Sequence, residues 1–278
     1  MAKTLLDTTD RFTHVLANWR EWPALGLTSQ PAVLQVLPEG SQHYAALLDT
    51  PTPLVLRVAH RRGQSALQSS VEHHSWRLAA DHGLAPDFVV LKIEPTATLS
   101  HYFSKPTSLD GRAMGLFLKR LHQIDTNPMP LSLGDTLEGY QQLARDQHHL
   151  EIAECLPTSP AVLSALAQIE DPRPMLCHND LTAGNWLTGD RGLLAIDWEY
   201  AATGCSLFDV ASALSILDVP NQQALLVAYN GQPHLSDRQK VANALYAVTC
   251  WWWSLARGAI QVQTEGKKLA QNLQALVS

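Results

Sequence analysis

Residues 177–187 read Cys177-His178-Asn179-Asp180-Leu181-Thr182-Ala183-Gly184-Asn185-Trp186-Leu187, and a second block, Ala195-Ile196-Asp197-Trp198-Glu199-Tyr200, follows shortly after. Short apolar runs accompany both blocks, Met175-Leu176-Cys177 and Leu193 to Ile196, and runs of this length suit buried strands better than helices. The reading therefore puts two carboxylates and an amide at the ends of two short strands, and loops held by a rigid scaffold are where sites are built. Asp180 and Asn185 are five residues apart, and Asp197 follows Asn185 by twelve. A hairpin turn over Thr188 to Gly192 would fold the second strand beside the first and carry Asp197 close to Asn185.

An amide oxygen and a carboxylate oxygen are hard ligands that suit magnesium, an ion that keeps waters and completes its shell with substrate phosphates. A second carboxylate, not committed to metal, accepts the proton of an attacking hydroxyl. Phosphoryl transfer needs both parts, metal for the phosphates and a base to orient the nucleophile. The bland counterpart is a metal-free loop between two core strands.

Upstream, Val33 to Leu37, His43 to Leu48 and Leu54 to Ala59 read as an antiparallel meander, with turns at Pro38-Glu39-Gly40-Ser41 and Thr50 to Pro53. Gln64 to His82 reads as a helix stopped by Gly83, and Phe88 to Ile93 as a further strand. From Leu109 onward helices dominate, over Asp110 to Ile124 (Asp110 as N-cap), Asp135 to Cys155, Ser159 to Ile169, Asp209 to Leu217, Ser236 to Arg257 and Glu265 to Leu276. The expected fold is α+β and bilobal, with a small antiparallel β-rich lobe over residues 1–95 and a larger, mostly helical lobe over residues 96–278.

The chain has 278 residues, 46% of them apolar, and a formal net charge of -6. The core can be large, and no basic excess is present to neutralise a nucleic-acid backbone. No apolar run reaches membrane-spanning length, and Asp7, Asp10 and Arg11 interrupt the start where a signal peptide needs an apolar stretch. A cytoplasmic protein without membrane insertion is expected. Four widely spaced cysteines, Cys155, Cys177, Cys205 and Cys250, read as reduced thiols and not as a zinc or disulfide framework. The doublets His73-His74 and His148-His149 lie in helix-like segments, where neighbours diverge by about 100° and do not converge on one ion.

The pattern H-N-D-x-x-x-x-N followed by I-D-W-E-Y resembles the aminoglycoside phosphotransferase and choline kinase family, relatives of protein kinases, and is most similar to its choline, ethanolamine and thiamine kinase branch. The resemblance implies a protein-kinase-like fold, ATP and Mg2+ as cofactors, and a small-molecule alcohol as acceptor. It makes Asp180 the catalytic base, Asn185 and Asp197 the magnesium ligands, and His178 a structural support of the loop. Glu199 is left with two readings, a contact to metal-bound water or to the acceptor. Asp209, in Leu207-Phe208-Asp209-Val210-Ala211, either braces the catalytic loop or is an ordinary helix N-cap.

The resemblance further implies a basic residue on the third strand that holds phosphates, paired with a Glu on the next helix. Arg57 and Glu72 stand at those places, and the alternative for them is a surface salt bridge. Arg57 replaces the protein-kinase Lys but offers a planar fork for phosphate oxygens. Gly40 and Ser41 belong to a turn that is either a phosphate clamp or a plain hairpin, since it has one glycine where protein kinases have three. Lys92, Ile93 and Glu94 fall near the expected adenine hinge.

Acceptor binding falls to the C-terminal helices by the same resemblance. Trp251, Trp252 and Trp253 are consecutive, with Tyr246 before them and Arg257 after. At about 100° per residue they cannot share one helix face, so at least one points away from the core. Aromatic faces attract organic cations, which suits choline or a thiazolium, and Trp198 and Tyr200 are placed to join such a cage. Core packing is the competing reading for each Trp. Aminoglycosides and sugars stay open as acceptors. Two other functions stay open as well, a nucleotide-binding module without catalysis and a metal-dependent phosphohydrolase using His178, Asp180 and Asp197.

Overall fold

The computed structural model describes residues 11–22, 26–37, 43–59, 66–91, 97–127, 132–148, 159–173, 175–256 and 263–278. Gly40 and Ser41, the hinge residues Lys92 to Glu94, and Arg257 lie outside these.

Near the N-terminus β1 (Ala32–Val36), β2 (His43–Asp49), β3 (Leu54–Ala59), β4 (Phe88–Leu91) and β5 (Ala97–His101) form one antiparallel sheet in the order β1-β2-β3-β5-β4. The meander is as expected. β5 was not foreseen, because Ala97-Thr98-Leu99-Ser100 carries weak strand propensity and forms through pairing with both β3 and β4. It lies beyond residue 95, the expected limit of the first lobe. Along β3 alternate side chains face opposite ways. Leu54, Leu56 and Val58 are buried under the sheet against Phe12, Val15 and Leu16 of a first helix, α1 (residues 11–17), and Arg57 turns to the other face.

α2 (Ala66–Asp81) crosses that other face. It ends as expected at Gly83, which has a positive φ of 64°, and the Gly83 and Leu84 amides return to the carbonyls of Ala80 and Ala79. Trp76 of α2 stacks on Phe88 with ring centroids 4.3 Å apart and donates its indole N–H to the Pro86 carbonyl at 2.7 Å.

The helical part contains α3 (Gly111–Leu121), α4 (Leu133–His148), α5 (Ser159–Ile169), α6 (Ser206–Leu214), α7 (Val219–Asn230), α8 (Asp237–Ala256) and α9 (Gln263–Val277). Asp110 caps α3, accepting from the Ala113 amide at 2.6 Å. α7 was not expected, although its signals are in the chain. Asp218 accepts from the Asn221 amide at 3.0 Å, Pro220 occupies the first turn, and Gly231 closes the helix at φ 81°. α3 and α7 approach closely: a Cβ on Gly111 or Gly115 would collide with the backbone carbonyls of Asn221 or Leu225. Between α5 and α6 lie β6 (Leu176–Cys177), β7 (Trp186–Gly189), β8 (Gly192–Ala195) and β9 (Ala202–Thr203). β6 pairs with β9, and β7 with β8 as the expected hairpin.

Candidate active site

The hairpin brings its two ends together as its register requires. Trp186 opposes Ala195, and the Ile196 amide donates to the Asn185 carbonyl at 3.0 Å. Asn185 precedes one strand and Asp197 follows the other, so both stand at the open end. The Asn185 amide nitrogen donates to the Asp180 carbonyl at 2.8 Å and to its Oδ2 at 2.9 Å. Both N–H groups are thus spent on Asp180, and the side-chain oxygen faces away from it. Asp197 sits in the left-handed region at φ 71°, an uncommon backbone for a residue with a side chain and one that recurs at functional sites.

Arg57 reaches into this point from β3. It donates to Glu72 Oε1 at 2.9 Å and to Asp197 Oδ1 at 2.8 Å, and its Nη2 lies 3.1 Å from His43 Nδ1. Burial works against its charge, but Glu72 and Asp197 outweigh that and hold the guanidinium above its usual range. Glu72 is only 2% exposed, so the pair is not a surface salt bridge.

The His178–Asp180 loop is clamped from below by Asp209, which is fully buried and, as the fourth residue of α6, is not its N-cap. Its carboxylate accepts from the His178 amide at 2.8 Å and the Asn179 amide at 2.5 Å. The His178 ring lies 3.0 Å from the Ile196 carbonyl through Nε2 and accepts from the Asp180 amide at 3.2 Å through Nδ1. A carbonyl only accepts, so Nε2 carries the proton and the ring is neutral. Burial lowers its pKa in the same sense. Asn179, at φ 65°, donates its side-chain N–H to the Tyr200 carbonyl at 3.0 Å. Asp180 has its pKa pushed up to about 8, by burial first and then by Asp197 and Glu199.

Asp180 borders a cavity of about 340 Å3 together with Glu199, Tyr200, Tyr140, Phe208, Tyr246 and Trp253. Of the expected acceptor residues, Tyr200 and Trp253 line it. Trp198 does not: it is fully buried, hydrogen-bonded to the Ala195 carbonyl at 3.2 Å and packed on the His178 ring. The left-handed turn at Asp197 sends the next side chain inward. Trp251 and Trp252 are also core residues, at 3% and 0% exposure, against 38% for Trp253. Trp251 packs so tightly on Gly266 of α9 that no Cβ fits there. Tyr140 and Phe208 were missed, since they come from separate helices and carry no local motif. Phe208 had one usable signal, its place beside Asp209.

The donor chemistry fits a magnesium ion. The free oxygen of Asn185 and the Asp197 carboxylate are hard ligands at one hairpin end. His43 and Glu199 offer further ligand atoms within 4.8 Å of Asp197.

A two-lobed α+β fold with this site is that of the protein-kinase-like phosphotransferases. Residues 33–243 match the model of the phosphotransferase enzyme family, which also contains the resemblance read from the motifs. The chain belongs to that family. Among solved structures it is similar to a choline/ethanolamine kinase family protein from Mesorhizobium loti, at 21% identity and TM-score 0.65, over 97% of this chain and 93% of the other. The choline kinase LicA from Streptococcus pneumoniae gives 18%, 0.61, 88% and 94%. A streptomycin-ATP ternary complex of APH(2")-IIa gives 18%, 0.56, 93% and 97%. No curated protein matches the sequence. Among the described residues no helix is long and apolar enough to cross a membrane.

Proposed function

We propose that this phosphotransferase uses ATP and magnesium to phosphorylate the hydroxyl of a small cationic alcohol of the choline, ethanolamine or thiamine kind. The observation that carries the reading is the cavity itself: the Asp180 carboxylate shares one cleft with five ring-bearing side chains, Tyr140, Tyr200, Phe208, Tyr246 and Trp253, and with the acidic Glu199. Rings and carboxylate together favour an organic cation. At about 340 Å3 the space is at the small end of ligand sites, roughly 300–1,000 Å3, a size that suits a small alcohol.

In this reading Asp180 accepts or orients the acceptor hydroxyl, within reach of the phosphate end of the nucleotide. Arg57, fixed by Glu72, presents its fork to phosphate oxygens. Asn185 and Asp197 would hold magnesium, whose contribution is to neutralise the phosphates and to draw the Asp180 pKa back down. Catalysis then rests on alignment and charge stabilisation. The inactive-module reading loses weight, because all three polar residues and the Arg57–Glu72 pair are assembled.

An ADP-release screen with MgATP and choline, ethanolamine, thiamine, aminoglycosides and simple sugars tests this. The expected result is acceptor-dependent ADP release that is greatest with one of the cationic alcohols. ADP release with aminoglycosides or sugars alone would overturn the acceptor class, and ATP binding with no release would favour the inactive module.

A further inference from the structure

Beneath the catalytic loop, the Asp209 carboxylate has a third partner that the site description does not use. His122, at the C-terminal end of α3 and 6% exposed, places Nε2 at 3.1 Å from Asp209 Oδ2. On the far side of the ring, Nδ1 lies 2.8 Å from the hydroxyl of Tyr229 on α7. We propose that His122 and Tyr229 are positioning residues for phosphoryl transfer, holding the Asp209 carboxylate so that it clamps the His178 and Asn179 amides and thereby fixes Asp180. The proposal rests on the kinase reading above.

The direction of the bonds follows from the chemistry of the end groups. An ionised carboxylate only accepts, so His122 donates from Nε2 to Asp209. In the neutral ring that leaves Nδ1 as an acceptor, and the Tyr229 hydroxyl donates to it. One chain of hydrogen bonds therefore runs from α7 through the end of α3 to α6 and into the loop. Asp209 is 0% exposed, and a carboxylate taken out of water must have its oxygens satisfied. With His122 gone, the carboxylate loses its one side-chain donor, and only the His178 and Asn179 amides, the groups it has to fix, are left to hold it.

The loop makes that loss matter. Asn179 is held in the left-handed region at φ 65°, a conformation that persists only where the surroundings over-determine it. Its own amide is one of the two that Asp209 clamps. Slackening the clamp lets this residue relax and moves Asp180, the next residue in the chain.

The backbone is built to bring Tyr229 into range. Gly111 and Gly115 of α3 let α7 approach at Asn221 and Leu225, and Tyr229 is the next position at the same four-residue spacing. Neither His122 nor Tyr229 lines the cavity that holds Asp180, so any effect on turnover passes through Asp209.

The test uses the full chain and the variants His122→Leu, His122→Gln and Tyr229→Phe. Steady-state kinetics are run with MgATP and choline, or with whichever acceptor in the screen turns over, per folded enzyme. Amide hydrogen exchange is followed on the peptide covering residues 176–187. His122→Leu should lower kcat by about ten- to a hundredfold, the loss expected for one buried charge-assisted bond, with KM for ATP and acceptor unchanged and the loop amides exchanging faster. His122→Gln, which keeps a donor toward Asp209, should recover most of both. Tyr229→Phe should cost about threefold in kcat, as for a neutral bond.

Wild-type kcat and exchange in His122→Leu would overturn the proposal, and so would a Gln variant as impaired as the Leu variant. If the Leu variant does not fold, Tyr229→Phe with unaltered kcat and exchange overturns it. If the wild type turns over no acceptor, the kinase reading fails, and the exchange measurements still decide whether His122 holds the loop.

Discussion

On the sheet side of the cleft Arg57 is held by Glu72 and Asp197, with His43 beside it. On the helix side Tyr140, Tyr200, Phe208, Tyr246 and Trp253 surround Asp180, whose carboxyl is only partly compensated. The first wall is a lattice of opposite charges at hydrogen-bond distance, and it fixes one orientation. The second is a set of ring faces, which discriminate by shape and by diffuse attraction. In the proposed function the charged wall takes the triphosphate, which is common to all acceptors. In the same proposal the ring faces take the acceptor and set its identity. Asp180 stands at the border of the two.

That contrast can be broken most severely at the border. Asp180→Ala should cut turnover by about a hundred- to ten-thousandfold, while ATP binding measured by calorimetry is largely spared. Undiminished turnover would remove Asp180 from its role. On the charged wall, Arg57→Ala should weaken ATP by about ten- to a hundredfold, with Arg57→Lys intermediate, and leave the acceptor KM unchanged. A selective rise in acceptor KM would show that the two walls are not independent. On the aromatic wall, Trp253→Ala should raise the acceptor KM by about two- to thirtyfold, the range of a single cation–π contact, without touching ATP. Trp252→Ala, in the core, should instead lower the melting temperature and serves as the control for a merely structural effect.

The charged wall and the loop were legible in the sequence because their residues sit at fixed offsets in short segments. Asn185 and Asp197 flank one hairpin, with Asp180 in the loop just before it, and Arg57 precedes Glu72 by one strand end and one helix start. The aromatic wall was legible only where it borders those segments, at Tyr200 and at the Trp run. Tyr140 and Phe208 reach the cavity through helix packing, which leaves no local pattern. His122 and Tyr229 meet for the same reason, across 107 positions of chain. Trp198 misled because a left-handed Asp197 reverses the side on which the next residue lies, and residue type alone does not announce that backbone. β5 and α7 were missed for opposite causes, one lacking strand propensity and the other carrying cap signals that went unread.

The hairpin of β7 and β8 works as a caliper whose jaws are Asn185 and Asp197 and whose hinge is the exposed turn at Asp190 and Arg191. Length added at the hinge leaves the jaws where they are, so an epitope or a fluorophore grafted there would ride on a working enzyme. One residue added inside either strand would invert the facing of everything beyond it and pull the jaws out of line.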